Sequence, residues 1–318
     1  ENILRGSKGV SYYQVDVFGR EAGKVDLYKD VLAQPGQNLT TTLDIDLQLF
    51  VENIFEGKKG AVIVSKPNTG EILSYMSSPD YNPDLFTGMV SSDDWQSIVS
   101  DPDRPLLNRV ANGMYPPGSI YKMVVAIELL EKKYIDENWN VFCKGEYEFY
   151  DRVHKCWDKN GHGAVDVRSA IAQSCDVFFY DAIQSVSLND LETRSKQFLH
   201  GVPTKIDLPS EMKGRVPNRD FMNKLYGKYG WSTGAMLNIS IGQGEILVTP
   251  IQMMAYTNLL ATKGLARNLH IVSSENQNEI VVSTISDRTW DIIHNSMHMV
   301  VNDKKGTGKL SNPNISGV

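Results

Sequence analysis

The apolar and polar positions of this chain change rhythm several times. From Leu43 onward, Leu43, Leu47, Phe50, Val51 and Ile54 recur at intervals of three and four, which predicts a helix with one covered face. The next stretch, GAVIVSKPNTGEILSYMS, holds two apolar runs split by Pro-Asn-Thr-Gly, the pattern of two strands joined by a turn. A helix followed by a strand hairpin points to an antiparallel sheet in an α+β domain. Helical spacing returns at Ile120, Met123, Val124 and Ile127, and a helix is expected from Ser119 to about Lys133. VDVRSAIAQSCDVFFYDAIQSV reads as mostly helical, with Asp166 as its N-cap. TPIQMMAYTNLLATKG opens with Thr249, Pro250 and Gln252, a capping box with proline at the first helical position, and Gly264 is its expected stop. A last helix carries Trp290, Ile293, Met297 and Val300 at helical spacing. Residues 77–118 are rich in turn formers, with one short helix near SSDDWQSIV. Residues 1 to about 40 are polar and glycine-rich and do not look self-sufficient, and QPGQNL at 34–39 reads as a turn or linker.

Composition narrows the classes. A chain of 318 residues is ample for one large or two modest domains, and 41% hydrophobic with 22% charged residues is ordinary for a folded protein. The net charge of -6 gives no electrostatic case for nucleic acid. No run of about eighteen apolar residues exists, no signal peptide is visible, and ENILRGSKGV reads like the middle of a protein. Three cysteines cannot all pair with one another.

YPPGSIYKMV, residues 115–124, is the first stretch with chemistry in it. Two prolines and a glycine halt the chain, and Ser119 and Lys122 then fall three apart at a helix start. Residues three apart share a helix face. A serine hydroxyl becomes a nucleophile when a base takes its proton, and a desolvated lysine is such a base. On these four residues alone, a capping serine followed by an exposed lysine is the more common explanation. SCDVFFY at 174–180 and SIGQGEILVTPIQMM at 240–254 change the balance.

With YPPGSIYKM, SCD and that glycine-rich turn in order, the chain resembles the transpeptidase domain of class B penicillin-binding proteins. The Ser-x-Asp form of the second motif, PLLNRV at 105–110 and VVNDKKGTG at 300–308 look like the elongation type, penicillin-binding protein 2. The resemblance implies the α+β penicillin-binding fold: an antiparallel sheet flanked by helices, plus an all-helical lobe. It implies residues 1–40 as the end of a pedestal domain and 41–318 as an incomplete transpeptidase domain. It implies Ser119 as nucleophile, Lys122 as general base, Ser174 as proton relay, and Asp176 as the group that holds Lys122 and substrate. The Ser119 N–H would supply half of an oxyanion hole. Stem peptides of peptidoglycan would be the substrates and β-lactams the inhibitors. A membrane glycosyltransferase and other elongation proteins would be partners. The expected location is the cell envelope, on the periplasmic side of the inner membrane, with an N-terminal membrane anchor absent here. A β-lactamase or β-lactam sensor of the same fold and a non-catalytic cell-wall scaffold are the rival readings. The Lys-Thr-Gly motif is missing: in KKGTGK at 304–309, Gly306 separates Lys305 from Thr307. A strand leading to that motif is expected at ISGV, residues 315–318, and the chain as it stands is expected to react slowly.

Cys143, Cys156, His162 and Cys175 form the series C-x12-C-x5-H-x12-C within 33 residues. Three thiolates and an imidazole make a closed structural zinc site. The segment 134–165 has few apolar residues, and a metal would fix it and brace the second motif from behind. His154 is an alternative ligand to His162, and a disulfide is the rival in an oxidising compartment. Met253, Met254, Met297 and Met299 read as core, and His270, His294 and His298 as structural or exposed. Tyr121 and Trp157 are candidates for the substrate cleft.

Overall fold

The computed structural model describes residues 3–24, 29–273, 278–282 and 284–311. The expected strand at 315–318 lies outside them. The chain divides into two compact units, Glu1–Thr42 with Val272–Ser274, and Leu43–Ile271 with Glu275–Val318. In the first unit β1 (Tyr13–Val15) pairs antiparallel with β2 (Glu21–Lys24), and bridges join Ser7 to Gln34 and Val10 to Val31. Among its described residues no side chain is fully buried.

The second unit begins with α1 (Ile45–Phe55), capped by the Asp44 carboxylate, which accepts from the Leu47 N–H. Of the expected apolar face only Val51 is buried, while Phe50 and Ile54 stay more than half exposed. β3 (Gly60–Ser65) and β4 (Ile72–Ser78) form the antiparallel hairpin that the sequence predicts. After α2 (Ser92–Ser100), a 3-10 turn over Gly118–Tyr121 runs into α3 (Lys122–Glu131). Ser119 therefore lies in the tighter turn before the α-helix, and its side chain caps nothing. Four short strands follow: β5 (Val141–Cys143), β6 (Glu146–Phe149), β7 (Arg152–Lys155) and β8 (Gly163–Val165), with β5 paired to β8 and β6 to β7. The helical run expected after Asp166 is two helices, α4 (Val167–Ala172) and α5 (Asp176–Ala182). They break at Ser174, whose φ of 53° is left-handed and unfavourable for a residue with a side chain.

The remaining elements are α6 (Leu188–Gln197), α7 (Arg219–Tyr226), α8 (Gly234–Ser240), α9 (Pro250–Ala261), β9 (Leu265–Arg267), β10 (Glu279–Val281) and α10 (Asp287–Asn302). The capping box at Thr249 and Gln252 forms as expected. α9 is buried on two sides. Ile251 and Ala255 join a small core with Ile72 of β4, and Tyr256, Leu259 and Leu260 join the main helical core. α3 is enclosed in that main core, with Val124, Val125 and Ile127 fully buried. An ion pair at 2.7 Å between Glu128 of α3 and Arg194 of α6 crosses it. A lysine at the start of a helix so enclosed has no route to bulk water, and that burial sets up the chemistry described next.

Candidate active site and thiol cluster

Burial leaves the Lys122 ammonium 1% exposed, so it must find acceptors inside the protein. It finds three. Nζ donates to the Ser174 carbonyl at 2.8 Å, the Ser174 Oγ at 3.0 Å and the Asp176 carboxylate at 2.7 Å. These acceptors come from the break between α4 and α5. The left-handed Ser174 turns both its carbonyl and its hydroxyl toward the lysine, and Asp176 opens α5. Burial pushes the Lys122 pKa down, and the Asp176 charge opposes that shift without cancelling it. Ser119 borders the same cleft of about 490 Å³, together with Trp157, Ser174, Asp176, Lys305, Thr307 and Lys309. Among the described residues no hydrogen bond joins Lys122 to the Ser119 hydroxyl. The Lys122 amine is engaged with Ser174 and Asp176 instead. The Ser119 N–H lies in the first turn of its 3-10 helix, where no intrahelical acceptor exists.

Two features of the cleft escape sequence reasoning, and a third divides two residues it named together. Gly242, in the GQG turn after α8, touches the backbone just before Ser119: the Gly118 N–H donates to its carbonyl at 2.9 Å. A Cβ at Gly242 would sit 2.1 Å from the Gly118 oxygen, and its φ of 72° is left-handed besides. KKGTGK docks on α4, where the Thr307 N–H donates to the Ala172 carbonyl at 3.1 Å, placing Lys305 and Lys309 on the cleft. Trp157 lines the cleft, whereas Tyr121 is wholly buried with its hydroxyl on Ser195. The only advance signal for the first two was the glycine density of their turns; of the two aromatic candidates, Trp157 is borne out and Tyr121 is not.

Behind the cleft the four expected ligands converge. The ligand atoms of Cys143, Cys156, His162 and Cys175 all lie within 4.8 Å of one another. His162 Nδ1 is 3.5 Å from the Cys143 sulfur and 3.6 Å from that of Cys156. Zinc with usual S and N bond lengths in a tetrahedron puts an S···N edge at about 3.6 Å. The donor set and spacing thus fit zinc. The three cysteines are free thiols. The Cys175 thiol hydrogen-bonds Cys156 and pulls its pKa down to about 5, and the same bond pushes Cys175 up. His154 is elsewhere, on β7 beside Tyr180 with ring centres 5.5 Å apart. One backbone bond ties the thiol cluster to the lysine: the Trp157 N–H, next to Cys156, donates to the second oxygen of Asp176 at 3.0 Å.

Of the four methionines read as core none is fully buried: Met253 and Met297 pack half-buried against the main core, Met254 against the small one, and Met299 joins neither. His270 is buried and His294 Nε2 donates to the Leu260 carbonyl at 2.7 Å, and neither lines the cleft.

The sequence profile described as penicillin binding protein transpeptidase domain matches residues 60–318. The Escherichia coli K12 peptidoglycan D,D-transpeptidase MrdA is 32% identical over 319 residues, covering 96% of this chain and 50% of the relative. The chain thus spans about half the length of that relative. A solved complex of Helicobacter pylori penicillin-binding protein 2 with MreC superposes with a TM-score of 0.85 at 33% identity, covering 99% of this chain and 58% of that one. A Pseudomonas aeruginosa PBP2 structure in complex with WCK 5153 gives 0.81 at 32% identity, covering 89% and 63%.

Proposed function

The chain belongs to the penicillin-binding protein transpeptidase family, and from that premise we propose that it acts as a peptidoglycan D,D-transpeptidase of the elongation type. The observation that carries the reading is the buried Lys122 holding Ser174 Oγ and Asp176 beside Ser119 in one cleft. In this mechanism Ser119 Oγ attacks the penultimate D-Ala carbonyl of a stem peptide, and its proton passes to Lys122 once that amine is neutral. Burial favours the neutral form. The Ser119 N–H stabilises the oxyanion. Ser174, at hydrogen-bond distance from Lys122, returns the proton to the leaving D-Ala nitrogen as the C–N bond breaks. An amine of a neighbouring stem then attacks the acyl-enzyme, its proton returns along the same path, and Ser119 regains its hydroxyl. A β-lactam enters at the first step and remains on Ser119.

The zinc assignment belongs to this reading. Cys143, Cys156, His162 and Cys175 would hold the ion as a closed structural site. Bound zinc would supply no Lewis acid to substrate, since four protein ligands leave no open position. What the chain's own residues do is fix Trp157, and through its N–H the orientation of Asp176. The expected setting is the periplasmic face of the inner membrane, in company with a membrane glycosyltransferase and other elongation proteins. Solved relatives in complex with MreC and in a peptidoglycan synthase complex support partners of this kind.

The test is intact mass after exposure to benzylpenicillin, on a chain extended past Val318 to include a Lys-Thr-Gly strand. One adduct on the peptide containing PPGSIYK is expected, and none in Ser119→Ala. An adduct of normal yield on Ser119→Ala would sink the assignment.

A further inference from the structure

The β6–β7 hairpin turns through two residues, Tyr150 and Asp151, with Phe149 paired to Arg152. Tyr150 has a φ of 52°, and Asp151 is not in the left-handed region. A two-residue turn with positive φ at its first position alone is the kind that ordinarily places glycine there. Here a tyrosine occupies it, and its side chain is 87% exposed. The fold thus carries a strained backbone and an aromatic ring in water at the same residue. The strain costs stability, and an edge contact with Phe149, ring centres 4.6 Å apart, still leaves the ring in water, which is the usual mark of a group kept for a ligand.

The ring stands at the rim of a cleft of about 410 Å³, within the range of small-ligand sites. Phe149, Tyr226 and Trp231 give it further aromatic faces, and Arg152, Asn238 and Glu245 give it hydrogen-bonding groups. Two of the rings are fixed. Trp231 donates its indole N–H to Asn223 at 2.8 Å, and Tyr226 donates its hydroxyl to Glu245 at 2.5 Å. Phe149 stacks on Tyr147, which in turn packs on the buried Tyr180. Two segments lead from this cleft to Ser119. β7 reaches Trp157 three residues beyond His154, a span of at most about 10 Å. Glu245 lies three residues after Gly242, which abuts Gly118.

Flat, fixed aromatic faces next to an amide, a guanidinium and a carboxylate match the two sides of a sugar ring. Its C–H face stacks and its hydroxyl and N-acetyl groups hydrogen-bond. The charges are mixed, so the set does not single out an anion or a cation. We propose that this cleft is a subsite for N-acetylhexosamine rings of the glycan strand, holding it within a peptide's reach of Ser119. The identity of the ligand rests on the transpeptidase reading, whereas the cleft and its chemistry do not.

The test titrates the protein with tri-N-acetylchitotriose, followed by calorimetry and tryptophan fluorescence. Binding at about millimolar Kd is expected, weakened about fivefold or more in Tyr150→Gly and in Trp231→Ala. Tyr150→Gly should keep or raise Tm, because the turn prefers glycine, and should keep the penicillin adduct on Ser119. A purely structural Tyr150 would instead lower Tm on replacement and leave sugar binding unchanged, and that result overturns the proposal. So does absence of binding up to about 20 mM, a concentration far above the expected Kd. Binding of a sugar-free stem peptide that is lost in Tyr150→Gly, with no sugar binding, would assign the cleft to peptide and overturn it equally. Sugar binding without any penicillin adduct would leave the subsite standing and remove the transpeptidase reading.

Discussion

Two buried polar clusters meet at Asp176, and they are built to opposite ends. On one side Lys122 is held by Ser174 and Asp176, an ion pair taken out of water with one hydroxyl facing the cleft. On the other, three thiols and an imidazole turn inward on each other and present nothing to substrate. Burying the Lys122 charge is costly unless its partners are placed well, and that cost is what drives its pKa down. Burying thiols is cheap, because cysteine packs as a small hydrophobe. The reactive cluster therefore depends on position, and the inert one can provide it, through the Trp157 N–H on Asp176.

The largest effect separating the clusters is expected on the reactive side. Lys122→Met keeps the volume and removes the base, and penicillin acylation of Ser119 should slow by about 10²–10⁴-fold. Stopped-flow acylation on the extended chain measures it, and a loss under tenfold would place the base elsewhere. Next comes the inert side. Metal analysis of protein purified without a histidine tag should find about one zinc per chain, as one four-ligand site requires. Cys156→Ser should lose that zinc, drop Tm by about 5 °C, and slow acylation only about tenfold, by loosening Asp176. No metal in the parent, with a Cys143–Cys156 disulfide found by mass spectrometry, would end the zinc reading.

The smallest effect on acylation, none at neutral pH, is expected at a third buried polar group that belongs to neither cluster. His200 is fully buried between Tyr121 and Tyr256, and among the described residues neither ring nitrogen has a partner. Burial lowers its pKa from 6.5 to about 3. Below pH 6.5 the unfolded chain takes up a proton that the folded chain refuses until about pH 3. Stability is therefore lost as pH falls through that window. At pH 5 the loss from this group is about 2 kcal/mol. His200→Leu should flatten the fall of stability between pH 7 and 5, read by urea denaturation. An unchanged slope would assign the acid sensitivity to other groups.

Part of the site was legible because its signals are local. Ser119 and Lys122 lie one turn apart, so their shared neighbourhood follows from helix geometry whatever the rest of the chain does. The capping box at Thr249 and the β3–β4 turn are likewise contacts between residues a few positions apart. The ligand series was legible by residue type and named His162, with His154 left as an alternative that spacing alone could not exclude. Both histidines follow a cysteine-bearing strand region, and only the pairing of β5 with β8 and of β6 with β7 sends them to different places. The exposed side of α1 was misread for a similar reason. Its spacing is helical, but spacing cannot say how much of a face the neighbours cover.

The sequence by itself determined that a serine and a lysine stand three apart at the start of the helical run of α3, where α9 begins, and that a cysteine lies between Ser174 and Asp176. Only the tertiary structure decided that Lys122 spends its three N–H bonds on residues 52 and 54 positions away, that Gly242 closes against Gly118, and that Tyr121 is core while Trp157 is cleft. The physical reason is range. Propensity, capping and turn chemistry act over about four residues and leave a mark in the sequence they act on. Burial and long-range hydrogen bonds are set when distant segments pack together, and no local pattern records which of two aromatic residues will end up facing water.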